Sequence, residues 1–265
     1  MKHPNEKSRS VHSRCTPDQG HCKRIFFKSE RYCKLGQLTQ SAVHEEGYIK
    51  FDARWEQTPP LVGVYPKELL DWRNRLFVHG LIGMLPDGIG YGNVSERLRG
   101  DTFLITGSAT GGVSELTTEH LAMVEDADAS ANTVICKGPV VASSESMSHD
   151  AIYRATPAIR AVMHIHHLGM WRYWKGRLPT TPDEARYGTP QMATALLECA
   201  RPLAVQSYGL IVMGGHREGL IAFGPSHEIA GRCLMAHYDA IPEKFTVQGA
   251  GYVEGPSDGE NPDAC

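Results

Sequence analysis

Residues 161–166 read Ala161-Val162-Met163-His164-Ile165-His166, and this stretch organises the rest of the chain. An apolar run broken only by two histidines, placed just after a proline at 157, reads as a buried strand. On a strand, alternate side chains share a face, so His164 and His166 aim at one spot while Met163 and Ile165 go to the other face. Two imidazoles offered on one face suit a divalent cation. The same pair would also serve as two hydrogen-bonded core histidines, and a third ligand is what separates the two readings.

Around that strand, helical and strand-like segments alternate without a regular βαβ period. Leu69, Leu70, Trp72, Leu76, Phe77, Leu81 and Met84 form a helical stripe that opens at Pro66 and is expected to stop at Pro86-Asp87-Gly88. Strands are expected over 92–98, 102–106, 133–136, 210–213 and 219–223. Helices are expected from Thr117 or Thr118 through Met123, over 145–155 with Ser144 as N-cap, over 190–200 and over 226–240. The fold class that follows is α/β, a mixed and largely antiparallel sheet with helices on both faces.

Composition bounds the function. Among 265 residues the hydrophobic share is 41% and the net charge −3, values of an ordinary globular domain with no nucleic-acid footprint. No apolar run reaches the ~20 residues that span a bilayer. The polar, basic N-terminus lacks the apolar centre of a secretory signal. Seven cysteines without paired spacing point to a reducing, cytoplasmic compartment and away from a disulfide framework. Residues 1–45 read as a basic, disordered extension, 46–245 as one domain, and 246–265 as a Gly-, Pro- and Asp-rich disordered tail.

Three further segments could carry chemistry. His216 sits in Gly214-Gly215-His216 between two expected strands, and is the natural third ligand of an open His₃ centre. Ser143-Ser144-Glu145 precedes a helix. It offers either a simple cap or an anion cradle with a carboxylate able to move a proton beside a metal. Asn93 and the Gly/Ser/Thr run 107–112, with Ser108, offer hydroxyl and amide donors. The run lacks the lysine of a nucleotide phosphate loop.

Taken in order, Gly92-Asn93-Val94-Ser95-Glu96-Arg97, Phe103-Leu104-Ile105-Thr106, Ser143-Ser144-Glu145 with His149, Tyr153, Pro157, residues 162–166 and His216 resemble the class II aldolase/adducin family, over roughly residues 66–240. The resemblance implies a three-layer α/β/α sandwich and, commonly, a homotetramer. By position it implies that His164, His166 and His216 hold a divalent metal, zinc or alternatively manganese, iron or cobalt. It makes Glu145 the acid/base, and makes Asn93, Ser108, Ser143 and Ser144 the contacts to a substrate anion. The metal would polarise a carbonyl and stabilise an enediolate that Glu145 creates or consumes.

The expected activity is therefore an aldolase-type lyase acting on a small anionic carbonyl substrate such as a sugar phosphate, with neither nucleic acid nor membrane as partner. A decarboxylase, epimerase or dehydratase would use the same centre. The alternative of another class is a non-catalytic, adducin-like interaction module, since the family's adducin heads lack the metal ligands. Arg217, beside the third histidine, could grip a carboxylate. Tyr173 and Tyr187 are the tyrosines near enough in sequence to replace one that the family's aldolases carry after the histidine strand, where Trp171, Tyr173 and Trp174 could equally form a packed aromatic patch.

Overall fold

The computed structural model describes residues 47–245. The extension over 1–45 and the tail over 246–265 lie outside the described residues. In chain order the elements are β1 (Asp52–Gln57), α1 (Lys67–Val78), β2 (Gly83–Met84), β3 (Gly90–Tyr91), β4 (Asn93–Arg97), β5 (Phe103–Thr106), β6 (Leu121–Asp128), β7 (Thr133–Gly138), α2 (Ser146–Ala155), β8 (Ala161–His166), α3 (Leu168–Trp174), α4 (Pro190–Ala200), β9 (Gly209–Val212), β10 (Gly219–Gly224) and α5 (His227–Asp239). Eight strands form one sheet in the order β1-β7-β6-β5-β4-β8-β10-β9; β2 and β3 make a separate small hairpin. Every neighbouring pair in the large sheet is antiparallel except β1–β7.

Period-2 alternation divides the sheet's side chains between two cores. Val162, Ile221, Phe223, Ile211, Phe103 and Ile105 face one side, where α2 and α4 pack through Met147, Ile152, Met192 and Leu196. Met163, Ile165, Leu220, Ala222, Val212 and Leu104 face the other, where α1, α3 and α5 pack through Leu69, Leu76, Met170 and Leu234. The sheet is thus covered on both faces, and the chain is a three-layer α/β/α sandwich. All six residues of β8 are buried, as its apolar reading requires. Among the described residues no helix is long and apolar enough to cross a membrane.

Three expectations are corrected. The first helix ends at Val78, not at Pro86, and Leu81 and Met84 lie beyond it. Gly80 adopts φ +67°, and the Leu81 N–H reaches the Leu76 carbonyl at 3.0 Å while the Gly80 N–H reaches Phe77, a Schellman stop that needs glycine's left-handed freedom. The Thr117 cap opens only a single 3₁₀ turn, Thr118–His120, closed reciprocally by the His120 ring. Residues 121–128 then alternate between the two cores as β6, because Leu121 and Ala122 belong to opposite clusters. The helix after the serines starts at Ser146, so Glu145 rather than Ser144 occupies the cap position, and its side chain makes no cap bond. The strands expected over 92–98, 102–106, 133–136, 210–213 and 219–223 and the helices over 190–200 and 226–240 are present within a few residues. The strands β1, β2, β3 and β6 and the helix α3 had no matching expectation.

Two packing details give measurable consequences. Gly231 of α5 sits against the Trp72 ring of α1; a Cβ there would lie 2.3 Å from Cη2. Gly231→Ala should therefore destabilise the fold by about 1–3 kcal/mol in urea unfolding, although alanine is the better helix former. A stabilised variant would contradict this packing.

Behind β4, Ser95 Oγ bridges His149 Nδ1 at 2.6 Å and Tyr153 Oη at 2.7 Å, tying α2 to the sheet. Burial pushes the His149 imidazole down to about 3. The unfolded chain binds that proton near pH 6.5 and the folded chain refuses it, so stability is full above that pH and falls by about 1.4 kcal/mol per unit as pH drops toward 3. His149→Gln should make the decline of unfolding free energy between about pH 6 and pH 4 shallower by about that slope; an unchanged slope would remove His149 from the acid response.

Candidate metal and anion site

His164 and His166 project from β8 onto the α2/α4 face, and Asn93 of β4 stands directly across from His164 on that same face. Across from His166 lies Gly219 of β10. That glycine makes room for the third ring: a Cβ on Gly219 would come within 3.0 Å of His216 Nδ1. The two glycines before His216 serve a different contact. Side chains there would meet the Thr181 carbonyl at 2.1 Å and the Ala185 carbonyl at 2.0 Å, so they let the β9–β10 turn press against the 181–185 segment.

The three buried rings form a near-equilateral cluster, with centroids 4.9, 5.0 and 4.7 Å apart and one potential ligand atom from each within 4.8 Å of the others. His164 Nδ1 lies 3.1 Å from the Leu220 carbonyl. A proton donated there leaves the Nε2 lone pair of the neutral ring facing inward. That Nε2 is 3.1 Å from His166 Nε2. Two nitrogens on a tetrahedral zinc stand about 3.3 Å apart. Burial pushes the His216 imidazole down to about 3, helped by the positive charge of Lys50, which favours the neutral form that ligates metals. The donor set thus fits a divalent cation.

Glu145 stands at the edge of this cluster, 1% exposed, with Oε1 3.6 Å from His216 Nδ1. Its other oxygen accepts from Ser148 Oγ, one helical turn on. Ser143 fixes the approach: its Oγ accepts the Glu145 N–H and its carbonyl accepts from Ser146. The carboxylate is therefore not consumed in capping α2 and is turned to the histidines.

Asn93, Ser108, Ser143 and Ser144 line one cavity of about 190 Å³, together with Gly47, Tyr48 and residues of the 107–111 loop. Asn93 Oδ1 is buried there, without a hydrogen-bond partner among the described residues. The Ser108 N–H is spent on the Val141 carbonyl, so Ser108 has its hydroxyl to offer. Ala109 holds φ +63°, a conformation that glycine adopts without cost.

The remaining candidates separate. Tyr187 stacks on His216, with ring centroids 4.8 Å apart and 27° between planes, and its Oη accepts the Tyr48 N–H. Tyr173 lies in the opposite layer, packed against Trp174 and Phe245. Arg217 is exposed in the β9–β10 turn beside Glu218 and does not line the cavity. His167 faces away from the cluster, against the Tyr238 ring, and caps α3.

Several site neighbours escaped sequence reasoning. Tyr91 tilts against His166 at 5.4 Å. Segment 47–50 contributes the cavity residues Gly47 and Tyr48 and sets Lys50 Nζ 3.8 Å over the Tyr187 ring. Nothing local in the sequence marks these residues; only the topology brings them to the histidines.

Residues 85–235 match the family described as Class II Aldolase and Adducin N-terminal domain. Among solved structures, the L-fuculose-1-phosphate aldolase of Thermus thermophilus is 23% identical, with 66% of this chain and 89% of that one covered and a TM-score of 0.48. A sugar-phosphate aldolase from Thermotoga maritima is 14% identical, with coverage of 66% and 90% and a TM-score of 0.49. YgbL from Klebsiella pneumoniae is 21% identical, with coverage of 65% and 84% and a TM-score of 0.48. No curated protein sequence matches the chain. With more than half of its length matched, the chain belongs to the class II aldolase and adducin family.

Proposed function

We propose that this chain is a metal-dependent lyase of the aldolase type, making or breaking a carbon–carbon bond next to a carbonyl in a small anionic substrate such as a sugar phosphate. The observation that carries the reading is the convergence of three buried imidazoles and the Glu145 carboxylate, one residue along the chain from an anion-sized cavity. His164, His166 and His216 would hold the metal, which when bound supplies Lewis-acid polarisation of the substrate's oxygen atoms. Zinc suits the nitrogen donor set, and manganese, iron and cobalt are also compatible with it.

The protein's own groups divide the work. Ser108, Ser143 and Ser144 present hydroxyls to the anion, and Asn93 adds an amide on the same wall. Glu145 takes the proton at the carbon next to the carbonyl in the synthetic direction and returns it in cleavage, with Ser148 steadying its second oxygen. Burial keeps water from competing for that proton. Tyr187 and Tyr91 wall the imidazoles on two sides and hold their ring planes.

An adducin-like interaction module would need neither ligands nor base, and all of these residues are present. Decarboxylation, epimerisation or dehydration would use the same centre, and product identity separates them: aldehyde release from a panel of ketose 1-phosphates against carbon dioxide release from carboxylated analogues.

His164→Ala should lower bound divalent metal from about one per chain to a trace by atomic emission, while far-ultraviolet circular dichroism stays as in the parent. Full activity in the metal-free variant would refute the reading. Glu145→Gln should keep the metal and lose about 10²–10⁴-fold in turnover, the range for a removed general base. Retained turnover would move the proton transfer to another group.

A further inference from the structure

The cavity that would hold the substrate's anion is lined by neutral groups, yet a fully buried cation lies just behind its wall. Arg73, at 1% exposure, projects from α1, ahead of the residues that match the family. Its Nη2 donates to the carbonyls of Thr110 at 2.9 Å and Gly111 at 3.1 Å, and both of those residues line the cavity. Its Nη1 donates to the Ser114 carbonyl at 3.3 Å and Asn74 Oδ1 at 3.4 Å. The guanidinium also rests over the Phe77 ring, 4.9 Å from its centroid.

Every acceptor here is uncharged, and among the described residues Arg73 makes no ion pair. Burial lowers the guanidinium to about 10, which still leaves it charged at neutral pH. A buried, unpaired charge is costly and calls for a compensating partner. The anion cavity lies against two of the residues whose carbonyls it holds, Thr110 and Gly111. Orientation adds to charge: in a trans peptide a carbonyl turned toward Arg73 turns the following N–H away from it, which leaves the amides of Gly111 and Gly112 facing away from the cation.

We propose that Arg73 is the positioning residue of the anion site. It holds the 110–114 loop by its carbonyls and supplies from behind the positive charge that the hydroxyl and amide wall lacks, favouring a phosphoryl dianion over a monoanion. The proposal rests on reading this cavity as the anion pocket of the proposed function. A buried cation acts through a low dielectric, so its field reaches across one peptide layer with little screening.

The test is inorganic phosphate binding to the full-length protein by isothermal titration calorimetry, on either side of phosphate's second ionisation, with metal content measured on the same samples. The parent should bind more tightly as phosphate becomes a dianion. Arg73→Met should weaken dianion binding about tenfold or more and flatten that gain, whereas a purely structural role would weaken both ionic forms alike. Arg73→Lys keeps the charge without the fork and should retain the gain; should Arg73→Met fail to fold, this variant and the parent decide. Parent-like affinity and pH dependence in Arg73→Met, loss of the gain in Arg73→Lys, or a metal-loaded parent that binds no phosphate would each overturn the assignment. Phosphate binding with the expected Arg73 dependence, in a protein that holds no metal, would uphold Arg73 and overturn the metal reading alone.

Discussion

Three imidazoles and a carboxylate share one buried volume at the end of β8, and the architecture follows from keeping them there. Packing such groups out of water is expensive unless their ionisation and hydrogen bonds are controlled. The fold applies that control locally. The Leu220 carbonyl selects the tautomer of His164, burial keeps His216 neutral, and Ser148 steadies Glu145. None of this would be possible at a sheet edge. β8 lies between β4 and β10, both antiparallel to it, and so its histidines are flanked by Asn93 on one side and by Gly219 on the other. The single missing side chain at Gly219 is what admits a third ring to a site built from only two strands and a turn.

Charge follows a second pattern. The cavity wall consists of hydroxyls, amides and glycines, while the cations stand one layer back, Arg73 under the 110–114 loop and Lys50 over the Tyr187 ring. A lysine or arginine inside the cavity would carry its own hydration and conformational freedom. Arg73, buried and fixed by backbone carbonyls, has already lost both, so it would contribute field without reorganisation. Both residues precede the stretch that matches the family, so α1 and the 47–50 segment complete a site whose chemistry lies further along the chain.

The legible parts of the sequence were those where local pattern and tertiary role coincide. The His164-x-His166 pair needed only the two-residue period of a strand, and His216 was marked by its glycines, even though those glycines turned out to serve the 181–185 contact. The four residues expected at the anion came from family order and do meet in one cavity. What stayed hidden was set by long-range packing. Arg73 reads as an ordinary polar break in an amphipathic stripe, because nothing in its neighbourhood says that its face will be buried under a loop some forty residues away. Leu81 and Met84 extend the α1 stripe in sequence, and only the left-handed Gly80 stops it. The Thr117 cap is real but supports one turn, since the eight residues after it gain more from alternating between two cores than from helix propensity.

The position of the tyrosines bears on which reaction the centre performs. An enolate or enediolate next to a carbonyl is common to the aldol, epimerase, decarboxylase and dehydratase routes, and a carboxylate placed as Glu145 is, beside the histidines, would stand ready to exchange a proton with it in any of them. They diverge at the group that protonates or deprotonates the departing fragment. Tyr187 meets His216 with its ring face rather than its hydroxyl, and that hydroxyl accepts the Tyr48 N–H, so its geometry is that of a wall which holds an imidazole in plane. Tyr173 is separated from the site by the sheet itself. Tyr187 is thus placed to shape the centre, and Tyr173 lies outside it.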